Sequence, residues 1–244
     1  MPEPILHEHE KMADLLQDLG NWLSQEAKVA VRDHGNFFLS LSGGSTPRQF
    51  YQLLASSRWQ KKIPWDRTAL FWGDERDVPP THPDSNYRMV KESLLDHLAT
   101  PPWLISRWRT ESPWALALAD QERNLEQWLP KASAYPVFDV VLLGLGPEGH
   151  TASLFPDSPS LQSTRIVEHV FVPEHGVWRY TFGLETINAA RHCAFLVTGR
   201  PKAEIVGDIL NNPGGTAYPA SLIAPRDGLV HWFLDAGSAA QVSR

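Results

Sequence analysis

An α/β fold, an open and mostly parallel Rossmann-like sheet with helices on both faces, is predicted for this chain by three observations. Short apolar runs alternate along it with amphipathic helical stretches, and strands separated by helices imply parallel crossovers. The run Val140 to Leu143 is wholly apolar and partly β-branched, as strands buried on both faces must be. Glycine-bearing loops follow three of the runs, after Leu41, Trp72 and Leu143. In open α/β sheets that edge is where ligands bind.

Each element follows from its own residues. Met12, Leu15, Leu16, Leu19, Leu23 and Ala27 fall at helical spacing and predict a helix from His9 to Arg32. Asn36 to Leu41 is a strand, and Ser42-Gly-Gly-Ser-Thr-Pro47 starts a helix with Thr46 as N-cap and Pro47 in its first position. Thr68 to Trp72 is a strand running into Gly73-Asp-Glu-Arg76, and a helix lies between Pro113 and Pro130. After the Val140 to Leu143 strand a further helix is expected. Arg179 to Phe182 is a strand, Glu185 to Arg191 a helix, Cys193 to Val197 a strand, Pro201 to Leu210 a helix and Val230 to Leu234 a strand. The loops Val78 to Asp84 and Asn211 to Tyr218 are too short to divide the chain, so residues 1–244 are expected to form a single domain.

Composition narrows the function classes. A net charge of −6 argues against a protein that coats nucleic acid, while a few arginines and amides still suffice for a small anion. No apolar run approaches the roughly 18 residues a membrane span needs, and the first residues lack the pattern of a signal peptide. With one cysteine, Cys193, there is no internal disulfide, and a cytoplasmic setting is expected. His7 and His9 lie near a terminus expected to be mobile, and no His-x-x-x-His pair suggests a metal. The ten tryptophans are attributed to packing.

Three segments carry chemistry. In Ser42-Gly43-Gly44-Ser45-Thr46, successive amides can form an anion-binding nest at a helix start, with three hydroxyls beside them. The same residues also suit a plain tight turn, and the Gly-Lys-Ser/Thr ending of a nucleotide triphosphate loop is absent. Asp74-Glu75-Arg76 offers a permanently charged fork for phosphate or carboxylate, and Asp74 could orient a catalytic group or bind sugar hydroxyls; the alternative is a solvated acidic loop whose arginine pairs with its neighbours. Asp84-Ser-Asn86 suits a turn or a helix cap. The third segment, Gly144 to Pro156, places Glu148 two residues before His150 in a glycine-rich loop. An imidazole with an ordinary pKa near 6.5 can take a proton from water at neutral pH, and the carboxylate can fix its tautomer. No Gly-x-Ser-x-Gly elbow is present, and Cys193 has no base beside it.

Leu41-Ser-Gly-Gly-Ser-Thr-Pro47, Trp72-Gly-Asp-Glu-Arg76 with Asp84-Ser-Asn86, Gly144 to Pro156, Arg179-Tyr-Thr181 and Leu196-Val-Thr-Gly-Arg-Pro-Lys202 together resemble the 6-phosphogluconolactonase family. The blocks stand in the family's order and span most of the chain. The resemblance implies hydrolysis of 6-phospho-D-glucono-1,5-lactone to 6-phosphogluconate in the oxidative pentose phosphate pathway, with no cofactor. It implies that Ser42, Gly43, Gly44, Ser45, Thr46, Arg76, Arg179 and Lys202 hold the phosphate and ring. His150 would activate the attacking water, with Asp74 and Glu148 placing or polarising it. The amides of Gly43 and Gly44, or the Arg76 guanidinium, are candidates for the oxyanion. The expected partner is a small sugar phosphate lactone, with no nucleic acid and no membrane; the oligomeric state is open, with a monomer favoured.

One departure stands out. The family usually has aspartate before the Gly-His pair, where this chain has Glu148, which keeps the charge one methylene further out. Two alternatives remain. Glucosamine-6-phosphate deaminases resemble this family in the same loops, but carry an Ile-Ala-Phe-Asn-Glu-like run after the histidine where this chain has Thr151-Ala-Ser-Leu-Phe-Pro156. A non-catalytic sugar-phosphate sensor is the other, although no helix-turn-helix or basic segment accompanies the domain.

Overall fold

Ile5–His9 forms strand β1, where a mobile terminus and the start of a helix were expected. The computed structural model describes residues 3–132, 134–174, 176–212 and 218–243. β1 holds its place through backbone pairing with the last strand rather than through an apolar face, which is why its sequence carries so little strand signal. Helix α1 (Met12–His34) then buries Leu15, Leu16, Leu19, Leu23 and Ala27, the expected stripe. Each buried leucine contributes about 1.5–3 kcal/mol.

The next segments follow the expectation with adjustments. β2 (Phe37–Leu41) leads into α2 (Ser45–Leu54), whose N-cap is Gly44 at φ 105°, not Thr46. That left-handed φ suits glycine and lets the helix begin two residues earlier, so Thr46 and Pro47 are its second and third residues. The one-turn α3 (Ser57–Gln60) precedes β3 (Thr68–Trp72), and β4 (Asp74–Arg76) turns away after Gly73. α4 (Asn86–Ser93) is capped by Ser85, whose side chain accepts from Arg88 N–H, so the Asp84-Ser-Asn86 segment is a helix cap.

β5 (Leu104–Ser106), α5 (Trp114–Trp128), the hairpin β6 (Lys131–Ala132) with β7 (Tyr135–Pro136), and β8 (Val140–Leu143) complete the first part of the chain. No α-helix lies between β8 and the next strand. The glycine-rich loop is closed on itself instead, with Gly146 N–H on His150 O at 2.8 Å and Thr151 Oγ1 on Gly144 O at 2.9 Å. β9 (Val167–Val172) and β10 (Val177–Phe182) come next, so the expected strand at Arg179 is longer and antiparallel. α6 is a single turn (Leu184–Ile187), shorter than expected, before β11 (His192–Val197), α7 (Ala203–Asn211) and β12 (Leu229–Asp235). Of the expected loop Asn211 to Tyr218, residues 213–217 lie outside the described residues.

The main sheet has the order β1-β12-β11-β8-β2-β3-β5, and every pair in it is parallel. β2, β3 and β8 are buried at every position, as a sheet covered on both faces requires. From β2 the chain builds outward through β3 and β5, then returns to lay β8 on β2's other side. The switch point therefore lies between β2 and β8, where the Ser42 and Gly144 loops emerge side by side. A second sheet, β4-β10-β9, is antiparallel and sets Arg76 directly opposite Arg179.

Below the main sheet, histidines from three neighbouring strands form a chain under α1. His7 Nε2 meets His231 Nδ1 at 3.2 Å, and His231 Nε2 meets His192 Nδ1 at 3.1 Å. Asp18 closes one end, 3.1 Å from His7 and 3.0 Å from His9, and Glu26 the other, 3.4 Å from His192. Burial, with help from His192 and His7, lowers the His231 pKa to about 4. Unfolded, this group binds its proton near pH 6.5. Its contribution is therefore fully present above that pH and is lost as pH falls toward about 4, at up to about 1.4 kcal/mol per pH unit. Denaturant unfolding at pH 7.5, 6 and 5 should show this slope, and His231→Asn should remove its share.

Candidate active site

The loops after β2, β3 and β8 converge on one cleft. Ser42, Gly43, Gly44, Asp74, Arg76, Asn86, Gly144, Leu145, Gly146, His150, Ala152 and Arg179 line it. Of the expected site residues, Ser42, Gly43, Gly44, Asp74, Arg76, His150 and Arg179 thus come together. Ser45, Thr46, Glu148 and Lys202 stand outside that lining.

The Ser42 loop is only partly an open nest. Tyr51 clasps Ser42, its hydroxyl accepting the Ser42 N–H at 3.0 Å and donating to Ser42 O at 2.8 Å. Burial pushes the Tyr51 phenol up, which keeps it a neutral hydrogen-bonding group. Thr46 Oγ1 lies 2.9 Å from Thr198 Oγ1 and ties the start of α2 to the end of β11. α2 has no side-chain cap, so its first amides remain donors beside Gly43 and Gly44.

The arginines are the clearest sign of an anion. Arg76 and Arg179 are strand partners in an antiparallel pair, which sets two positive groups side by side. Arg76 Nη1 donates to Asp84 O at 2.7 Å, and Arg179 lies 3.9 Å from Asp74 Oδ2 with its guanidinium 5.5 Å from the Phe155 ring centre. Nε of each is buried without a protein acceptor among the described residues. An unsatisfied buried donor costs about 1–3 kcal/mol, a cost a bound oxyanion removes. Burial lowers the Arg179 pKa, opposed chiefly by Asp74.

His150 faces the same cleft. Its Nδ1 lies 3.0 Å from Glu148 Oε1, so the longer side chain does reach the imidazole. The ring stacks on Phe155, centroids 4.2 Å apart, and Gly146 makes room for it: a Cβ there would stand 2.0 Å from Nδ1. Burial lowers the His150 pKa below its ordinary value, while Glu148 and then Asp74 oppose the shift. The imidazole is thus a neutral base at pH 7. Burial also lowers the pKa of Lys202, beyond the end of β11, with Glu148 opposing the shift.

Three residues escaped the sequence reading. Glu75 does not point at a ligand; it accepts backbone N–H groups from Arg76, Asn86 and Tyr87 at 2.8, 2.7 and 2.7 Å and so anchors the start of α4. Burial raises its pKa against those bonds. Asn86 lines the cleft and donates to Asp74 Oδ1 at 3.1 Å. Ser153 donates to Asp74 Oδ2 at 2.8 Å. All three lay inside segments singled out in the sequence, Asp74-Glu75-Arg76, Asp84-Ser-Asn86 and Gly144 to Pro156, without a role of their own.

A family model described as glucosamine-6-phosphate isomerases/6-phosphogluconolactonase matches residues 10–232. The chain belongs to this family. It is 37% identical to the 6-phosphogluconolactonase of Haemophilus influenzae, over 87% of this chain and 90% of that one. A 6-phosphogluconolactonase of a Nostoc species is 38% identical, over 88% of each chain. Among solved structures, the 6-phosphogluconolactonase of Trypanosoma brucei superposes with a TM-score of 0.86 at 29% identity, covering 99% of both chains. A monomeric glucosamine-6-phosphate deaminase has a TM-score of 0.82 at 18% identity, covering 97% of this chain and 99% of that one, a likeness of fold alone.

Proposed function

We propose that the chain is a 6-phosphogluconolactonase, hydrolysing 6-phospho-D-glucono-1,5-lactone to 6-phosphogluconate in the oxidative pentose phosphate pathway. The observation that carries this is a neutral, carboxylate-backed imidazole in one cleft with two arginines whose buried donors lack acceptors. The named relatives, similar over nearly their full length, support the same reaction. One continuous core from Leu15 to Leu234 supports a single domain. The buried Cys193, its thiol pKa pushed up by burial, suits a cytoplasmic setting.

In this reading Arg76 and Arg179 hold the 6-phosphate, with the opening amides of α2, Ser45 and Thr46 on one side and Lys202 on the other. Glu148 holds His150 through Nδ1, leaving Nε2 to take a proton from water as its oxygen attacks the lactone carbonyl. The tetrahedral oxyanion meets donors from Gly43, Gly44 or Arg76. When it collapses, the ring C–O bond breaks and the imidazolium returns the proton to the departing ring oxygen, giving the free acid. Asp74, held at both oxygens, keeps Arg179 in place and supports the charge on His150.

Glucosamine-6-phosphate deamination is the reading to separate, and no acidic side chain in Thr151 to Pro156 favours it. Incubation with glucosamine 6-phosphate should release no ammonia, while the phospholactone is consumed; ammonia release would overturn the assignment. Glu148→Gln supplies a second check. Removing the charge that raises His150's pKa should move the acid limb of the kcat/KM profile to lower pH, because the base stays neutral further down. An unmoved limb would show that Glu148 does not act on His150.

A further inference from the structure

Asp74 is gripped at both carboxylate oxygens, by Asn86 from α4 at 3.1 Å and by the Ser153 hydroxyl at 2.8 Å. Ser153 is fully buried and stands three positions after His150. Its backbone N–H donates to Thr181 Oγ1 at 3.2 Å, and Thr181 is the strand partner of Asp74. Between His150 and Ser153 the loop makes a tight turn, with Leu154 N–H on Thr151 O at 3.0 Å. Ala152 sits in that turn at φ 49°, a left-handed conformation that costs a residue with a Cβ. Such a turn persists only where its surroundings hold it. Ser153 supplies that hold by fastening the far side of the turn to β4 and β10.

We propose that Ser153 is a positioning residue for hydrolysis: one hydrogen bond to Asp74 fixes both the loop that presents His150 and the carboxylate that faces Arg179. The proposal rests on the lactonase reading above. A hydroxyl bonded to a buried carboxylate is among the stronger hydrogen bonds, and its loss is equivalent to roughly a tenfold change or more. The larger loss should fall on kcat, through the loop that presents His150; a smaller loss of binding follows from Asp74's contact with Arg179, while Arg76 and the opening amides of α2 keep their hold on the phosphate.

The test is steady-state kinetics on the full chain for Ser153→Ala, Asp74→Asn and the double variant, with 6-phosphogluconate inhibition as the measure of binding. Ser153→Ala should lower kcat about tenfold or more and raise the inhibition constant by clearly less, within about threefold. On the Asp74→Asn background the same change should cost no more than about threefold, since the two residues act as one unit. Ser153→Cys, which is slightly larger and keeps a weak donor, should fold and fall between wild type and Ser153→Ala, and it stands in if the alanine variant does not fold. Wild-type kcat in Ser153→Ala, or in Ser153→Cys where that variant stands in, would overturn the proposal, as would equal losses on both backgrounds. If the wild-type chain shows no lactone hydrolysis, the functional reading fails first and this inference with it.

Discussion

Replacing His150 with alanine should lower kcat on the phospholactone by about 10²–10⁴-fold, the range positioned general-base catalysis supplies. The expectation rests on three features of the imidazole. It is neutral at pH 7 because burial lowers its pKa. Glu148 Oε1 lies 3.0 Å from Nδ1, and in the proposed mechanism that contact leaves Nε2 for water. Phe155 and Gly146 fix the plane of the ring. The imidazole is not itself part of the proposed phosphate clamp, so binding of 6-phosphogluconate to the variant should stay within about twofold of wild type. Turnover surviving within about tenfold would mean that another group takes the proton. Calorimetric titration with the product and a thermal melt together separate lost chemistry from lost folding.

Arg179→Ala should raise KM by roughly 10- to 100-fold, the equivalent of about 1.5–3 kcal/mol for hydrogen bonds to a charged group. Arg179 stands opposite Arg76 in β10 and β4, rests near the Phe155 ring and carries a buried Nε with no protein acceptor among the described residues. In the free protein the substitution also removes a like-charge opposition, so its cost to stability should be small compared with its effect on KM. Arg179→Lys should recover only part of the affinity, because an ammonium cannot reproduce the planar fork. Unchanged KM in Arg179→Ala would remove this residue from the phosphate clamp.

The elements legible in the sequence were those whose signal is local. β2, β3 and β8 are apolar runs buried at every position, and the loops after them carry their own glycines. α1 declares itself by its stripe of leucines, and α5 lies between its two prolines as expected. What escaped depends on partners distant in the chain. β4 is three residues long and exists because β10, about a hundred positions later, pairs with it. β1 is polar and edge-bound, and only β12 makes it a strand. The helix expected after β8 is absent because Gly146, Thr151 and Ser153 spend their hydrogen bonds closing the loop and tying it to Asp74.

The site followed the same division. His150, Asp74, Arg76 and the Ser42 turn stood out by residue type and position, whereas Asn86 and Ser153 are small polar residues of a kind that caps turns everywhere. Their role becomes visible only when both are found on one carboxylate. Glu148 illustrates the reverse: the extra methylene leaves the contact with His150 intact. Thr46 moved from cap to first turn because Gly44 takes the left-handed conformation that starts α2.

The central claim is that this cleft hydrolyses a phosphorylated sugar lactone. The most direct measurement is the rate of acid release from freshly generated 6-phosphogluconolactone, with and without the purified chain, beside unphosphorylated gluconolactone under the same conditions. The account predicts saturable hydrolysis of the phosphorylated lactone well above its spontaneous rate, and far weaker acceleration of the unphosphorylated one. Hydrolysis no faster than the spontaneous reaction, or equal acceleration of both lactones, would contradict it.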